Sequence, residues 1–474
     1  MCKGLHDLIE TREGIQKMLR QKRTIVSLIM ILLLTGILAA CSGGNNTAGN
    51  SSTPPAESTT PPPSETTPPP SETPPPPEPV ELAAYSNHSD DDFNARIAAA
   101  VTAAHPNITF KHYASQVRNI PDTIDVDGVN PDVGFNMNVN DWRAITKLNL
   151  SQDLTALAAA AGFKPEEKFF PGTLQSIKNW FGGELKALPN TTNPLVLFYN
   201  KDIFDAFQVP YPGEDLTWDQ LYEIAQKVTG EKNGKKYIGF GAFHSFVWGN
   251  NQYSLSLVDT ATDTAAVNTP EFKRMVENLI RFYQIPGVAD GYDPEGNGGG
   301  ELNRFYLQQD VAMVATLASS VGRGDWPAEF TNWDMVAAPY FADKPYVGFQ
   351  DGGNFNAVLN TAKNQEAAFQ ALADYYSEDN LAELAKTYRM IFPFISDKVK
   401  NALGENEKFV GKNVNAFYTN DYAPTPKPTE GYNVDAAGLF AKQFSKLVTG
   451  VHKDVDAMLA AAEADINNAI KDAK

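Results

Sequence analysis

A parallel α/β fold is what this sequence predicts, on three observations. Strand and helix patterns alternate from residue 80 onward, the helical stretches carry clear caps and apolar stripes, and the folding part is long enough for two cores. Residues 81–86 (ELAAYS) read as a short strand. Residues 90–104 follow as a helix, with Asp90, Asp91 and Asp92 placed favourably against its dipole. Residues 107–113 (NITFKHY) alternate like a strand, and 132–137 (DVGFNM) like another. Strand, helix, strand in that order implies a parallel layer. Thr217-Trp218-Asp219-Gln220 is a capping box, after which Leu221, Ile224, Ala225 and Val228 share one helical face. Thr269-Pro270 opens a second helix, striped by Phe272, Met275, Val276, Leu279 and Ile280. Beyond Pro339 strands become sparse. A closing helix is expected over 454–471, with Val455, Leu459, Ala462 and Ile466 facing inward.

Ahead of this body lies a leader. Residues 24–41 (TIVSLIMILLLTGILAAC) form an uncharged apolar run behind Lys17, Arg20, Lys22 and Arg23. A basic flank, an apolar core and small residues before a cut are the parts of a secretory signal. The Leu38-Ala39-Ala40-Cys41 ending resembles the lipobox of bacterial lipoproteins, which implies a signal peptide over 1–40 and lipid on Cys41. Residues 42–79 hold almost nothing to bury, and PPPSETT at 61–67 recurs as PPPSETP at 68–74. At ~3.1 Å per residue such a stretch reaches ~100 Å, so 41–79 is read as a tether.

Composition excludes several classes. The chain carries a formal charge of −18, and the leader is basic, so the mature part is more acidic still. That balance argues against nucleic acid and against charge-driven docking on anionic lipid. The two cysteines, Cys2 and Cys41, lie outside the folding part, so disulfides and thiolate metal sites are absent from it. No metal and no cofactor is expected, and a monomer is.

Several blocks, in order, carry a resemblance to a known family. They are Pro131-Asp132-Val133, then 150–155 (LSQDLT), 185–189 (LKALP), 197–204 (LFYNKDIF), 216–221 (LTWDQL), 310–313 (DVAM), 333–339 (WDMVAAP) and 364–368 (NQEAA). Together they resemble the family 1 extracellular solute-binding proteins, the sugar-binding clade of ABC importers, across nearly all of 80–474. The resemblance implies a two-lobe periplasmic-binding-protein-like fold joined by crossing hinge strands, with ligand in the cleft. By analogy one lobe takes 80–190 plus 336–383, and the other 191–335 plus 384–474. It further implies delivery of a sugar or oligosaccharide to an ABC permease, from a lipid-anchored position on the outer face of the membrane.

In open α/β sheets a ligand sits beyond the carboxyl ends of the strands. Asn87, His88 and Ser89 follow the first strand. Asn136 and Asn138 follow DVGF, with Trp142 nearby. Thr191, Thr192 and Asn193 fall in the first crossing, where related sugar binders place a polar contact. Asp351, Gly352, Gly353 and Asn354 resemble the family's Gly-Gly turn. These segments are rich in amides and hydroxyls and poor in charge, which suits a neutral polyol; no paired cation and carboxylate suggests a peptide. Phe246 and Trp248, in FHSFVWGN, align with a helix that supplies stacking rings in the maltose-binding relatives; core packing is the alternative for each. After Ala312-Met313 those relatives carry Gly-x-Trp, whereas residues 316–320 here are TLASS, leaving Trp326 as a substitute ring or a different ligand.

Other signals are weaker. Gly239-Phe240-Gly241 lacks the third glycine of a dinucleotide fingerprint and reads as a kinked strand beside the cleft. Asp290, Asp293, Glu295, Asn297 and Glu301 faintly suggest a calcium loop but miss the EF-hand spacing, and Asp122, Asp125 and Asp127 suggest it less. Two rivals stay open at this level: a tethered carbohydrate-active enzyme with a carboxylate pair, and a glycan sensor or adhesin on the same fold.

Overall fold

The computed structural model describes residues 77–114, 131–290, 292, 299–321, 326–430 and 433–474. The leader, Cys41, Asp122, Asp125, Asp127, Asp293, Glu295 and Asn297 lie outside the described residues. Among those described, no helix is long and apolar enough to cross a membrane.

Eleven strands organise the two lobes and their junction: β1 (Val80–Ser86), β2 (Ile108–Ala114), β3 (Val133–Met137), β4 (Leu188–Pro189), β5 (Leu195–Asn200), β6 (Gly241–Ala242), β7 (Met313–Leu317), β8 (Trp333–Ala337), β9 (Val347–Gln350), β10 (Phe355–Val358) and β11 (Asp421–Ala423). The first sheet has the order β2-β1-β3-β10-β4. Its β1 lies parallel to β2 and β3, while β10 runs antiparallel to β3 and β4. The second sheet has the order β8-β5-β7-β6, with β5 antiparallel to both neighbours. The strands of this second sheet are buried on both faces, which is why they read as continuous apolar runs such as LVLFY.

The helices form where their caps and stripes place them. Ser89 caps the helix after β1 by accepting from the Asp92 amide, and that helix passes through a π turn at Asn94–Ala98. Thr217 and Gln220 cap each other at the start of Trp218–Lys227. Helix Pro270–Tyr283 buries Phe272, Met275, Val276 and Leu279 as its stripe requires. The closing helix runs Val455–Ala473 and buries Leu459, Ala462 and Ile466.

The crossings come later in the chain than the resemblance implied. All of β8 pairs with β5, up to Ala337 against Val196, so residues 336 and 337 belong to the second sheet. The following segment stays with that lobe: Tyr340 and Trp218 share a backbone bond of 3.1 Å, and the Gln350 amide donates to the Asn250 carbonyl at 2.8 Å. Four residues on, the Asn354 amide donates to the Thr191 carbonyl at 2.9 Å and the chain enters β10. The switch therefore falls at residues 351–353. There the two crossings touch backbone to backbone, and a Cβ on Gly353 would stand 2.1 Å from the Thr191 carbonyl oxygen. Only glycine fits that approach. The boundary expected at 383–384 likewise falls inside one unbroken helix, Glu378–Tyr388. Its continuation still binds the first lobe, since the Ile395 amide donates to the Lys168 carbonyl at 2.7 Å.

Candidate functional site

Where the crossings meet, a cleft of about 370 Å³ opens between the lobes. The first lobe lines it with Asn138, Val139, Trp180 and Asn354, and the second with Gly249, Asn250 and Leu255 to Val258. The crossing gives Gln350 to Gly353, and residues 425–429 with the start of helix Ala436–Val448 close the remaining wall. A larger surface groove of about 560 Å³ lies near residues 153–185, but it draws on one lobe only.

Local folding decides which polar atoms stay free in this cleft. Asn138 caps helix Val139–Lys147: its side-chain oxygen accepts from the Asn140 amide at 2.8 Å, and Asp141 returns a bond to the Asn138 amide at 2.7 Å. That leaves the side-chain N–H groups of Asn138, unlike its backbone N–H, without a partner among the described residues. Asn354 donates to Asn136 at 2.7 Å, Gln350 donates to the Asn251 carbonyl at 2.9 Å, and Asn250 donates weakly to the Phe246 carbonyl at 3.4 Å. Each of these three keeps its side-chain oxygen as an acceptor. A mixed set of donors and acceptors of this kind matches hydroxyl groups, which do both.

Asp351 is the unusual member. It is 9% exposed, and its Oδ1 has no hydrogen-bond partner among the described residues. Burial pushes its carboxyl up to about 6, opposed by the nearby Thr192 hydroxyl and Gly353 amide. The Thr192 hydroxyl lacks a partner of good geometry as well. Both atoms sit at the meeting point of the two crossings.

The remaining expected residues fall into two groups. Asn138, Asp351 and Asn354 line the cleft. Phe246 stands at its edge: a Cβ on Gly352 would lie 3.8 Å from the ring, which runs nearly parallel to Phe243. Asn87 and Asn136 lie behind the lining and hold each other. The Asn87 amide donates to the Asn136 carbonyl at 3.0 Å and to Asp141 at 2.9 Å, and Asn136 takes a left-handed φ of 54°. His88 is not part of the lining; burial first, then Arg96, push its ring down to about 4, so it is neutral at physiological pH. Asn193 is spent on Ser319, with bonds of 3.0 and 2.9 Å in both directions.

Trp248 is a correction. It is fully buried, with ring centroids 5.1 Å from both Phe440 and Phe444, so its faces are covered by the second lobe's core. Trp142 is also buried, and its indole N–H donates to the Trp180 carbonyl at 3.2 Å. Trp326 stacks on Tyr306 at 5.3 Å, away from the lining. The tryptophan at the cleft is Trp180, packed edge-on against Trp142. Gly239 and Gly241 admit close neighbours, the Ala225 carbonyl and the Glu301 side chain, and neither lines the cleft.

The sequence reading missed the wall made by residues 424–430 (PTPKPTE). This strap is tied to the first lobe: Ser176 accepts from the Thr425 amide at 2.8 Å, Asn179 donates to the Thr425 carbonyl at 3.0 Å, and Arg143 donates to the Thr429 carbonyl at 2.9 Å. Its alternating prolines are the available signal, since they favour an extended run and remove every second backbone donor.

Residues 96–408 match the family model described as bacterial extracellular solute-binding protein. The chain belongs to this family. Among curated relatives, this solute-binding protein is similar to the sn-glycerol-3-phosphate-binding periplasmic protein UgpB of Agrobacterium fabrum, 24% identical over 173 residues. That match covers 34% of this chain and 37% of the relative; the Brucella abortus protein of the same name matches at 24% over 38% and 42%. The aligned stretch thus spans about two fifths of these relatives. Solved structures share the fold. A sugar transporter of Rhizobium etli in an open conformation gives a TM-score of 0.63 at 17% identity, covering 83% of this chain and 100% of its own. The cyclic alpha-maltosyl-1,6-maltose binding protein of Arthrobacter globiformis gives 0.60 at 19%, with 83% and 100% covered. The sugar-binding protein MalE of Xanthomonas citri gives 0.62 at 14%, with 83% and 98% covered. Family membership marks the protein as an extracellular binder on a two-lobe α/β frame.

Proposed function

We propose that this protein captures a sugar or oligosaccharide between its lobes and delivers it to an ABC permease, catalysing nothing itself. The observation that carries this reading is the cleft lining: side-chain amides from both lobes with uncommitted donors and acceptors, beside Trp180 and Phe246. Ligand contacts to both lobes favour a closed form, which is what a permease can recognise. sn-Glycerol 3-phosphate, for which the curated relatives are named, fits the lining poorly. Its lysine, Lys427, is engaged by Glu430 at 2.6 Å, and Asp351 would face the phosphate.

Melting temperature recorded against mono- and oligosaccharides, with amino acids and peptides as controls, tests the reading. A saturable rise with a sugar supports it, because binding the folded state alone stabilises it. A rise with peptides only, or turnover of a bound glycan, replaces it. Asn250→Ala and Asn138→Ala are each expected to weaken sugar binding by about 1 kcal/mol, roughly fivefold, as measured by calorimetry. Unchanged affinity in both would remove these amides from the site.

The leader and tether complete the proposal. Cys41 carries lipid, and residues 41–79 hold the binding lobes off the outer face of the membrane as a monomer. Cys41→Ser is expected to move the protein from the membrane fraction to the medium, read by fractionation; retention in the membrane would overturn the anchor.

A further inference from the structure

We propose that the ligand carries a basic nitrogen on its hydroxylated frame, as an amino sugar does, and that Asp351 selects it by charge. The inference rests on the sugar reading above and narrows it. Asp351 lines the cleft at the junction of the crossings, nine-tenths buried, with Oδ1 out of solvent and unpartnered among the described residues. Its surroundings are the Thr192 hydroxyl, the Gly353 amide and the buried Tyr422 hydroxyl, none of them cationic. A buried carboxylate without a counter-charge is costly, and here only the neutral Thr192 hydroxyl and Gly353 amide offset that cost.

The nearby cations are committed elsewhere. Lys427 is paired with Glu430, and Arg143 is turned to the strap and to Asn140, with bonds of 2.9 Å to each. Asp435 adds a second carboxylate to the lining, capping its own helix through the Gly438 amide at 2.9 Å. The lining is therefore negative in sum. The raised carboxyl of Asp351, near 6, agrees with a missing counter-charge. An ammonium group on the ligand supplies both the charge and the donors, and charge-assisted bonds of this kind are about twice as strong as neutral ones. The acidity of the whole chain, −18, also draws cations toward the opening.

Three probes on one skeleton test this: glucosamine, glucose and glucose 6-phosphate, titrated calorimetrically at pH 7 into purified full-length protein. Glucosamine is expected to bind at least ~10-fold tighter than glucose, and glucose 6-phosphate not at all. In Asp351→Asn the ratio of glucosamine to glucose affinity should fall to near one, whatever the change in glucose affinity itself; a melting curve checks that the variant is folded. Equal affinity for glucose and glucosamine, tighter binding of the phosphate, or a preference that survives Asp351→Asn overturns the charge claim and leaves the sugar reading standing. Silence toward all three at millimolar concentration overturns the charge claim, and the oligosaccharide panel above then decides the sugar reading separately.

Discussion

Trp248→Ala is expected to destabilise the protein by ~3–5 kcal/mol, because it empties a large, fully enclosed site in the second lobe. The indole is wedged between Phe440 and Phe444 on helix Ala436–Val448, whose first residues line the cleft. Loss of the ring thus loosens a wall of the binding site from behind. Trp248→Phe should be far milder. Its Nε1 has no hydrogen-bond partner among the described residues, so the ring swap removes an unsatisfied donor while keeping most of the apolar volume. Chemical denaturation of the three proteins checks this. A Trp248→Ala variant of native stability that no longer binds sugar would instead return the ring to the ligand.

Asp351→Asn is expected to stabilise the free protein by about 3 kcal/mol at pH 8 and by almost nothing at pH 3. The native carboxyl titrates near 6 against an ordinary value of 3.8, and each pKa unit is worth about 1.36 kcal/mol. Below pH 4 both folded and unfolded chains hold the proton, and the amide replaces a neutral acid of like shape. As pH rises from 4 to 6 the unfolded chain ionises first, so the wild type loses stability relative to the variant. Above 6 both states are ionised and the full penalty is present. Denaturation curves from pH 3 to 8 read this directly. A difference between the two proteins that does not change with pH would show that Asp351 is compensated.

Both predictions turn on residues that the sequence singled out for the ligand, and the structure separates them. Asp351 and Trp248 were candidates because the family resemblance implies ligand contacts in their segments, and a resemblance suggests a position without saying which way its side chain faces. A six-residue helix such as His244–Gly249 turns successive side chains by about 100°, so Phe246 reaches the cleft edge while Trp248, two residues on, enters the core. Asn87 and Asn136 were legible as loop amides at strand ends. Their mutual bonding depends on β1 and β3 being neighbours, a fact of sheet order.

What the sequence determined by itself were the quantities set by local chemistry: caps at Thr217 and Thr269, the stripe of helix Pro270–Tyr283, the strand–helix rhythm of the first lobe, and the apolar run at residues 24–41. Capping and periodicity depend on residues within one or two turns of each other, so a linear string contains them. The tertiary structure alone decided the switch at residues 351–353, the strap at 424–430 as a wall, the place of Trp180, and the isolation of the Asp351 carboxyl. Each of these arises from segments far apart in the chain meeting at one point, where burial and the absence of a counter-charge are properties of the assembled surroundings rather than of any residue.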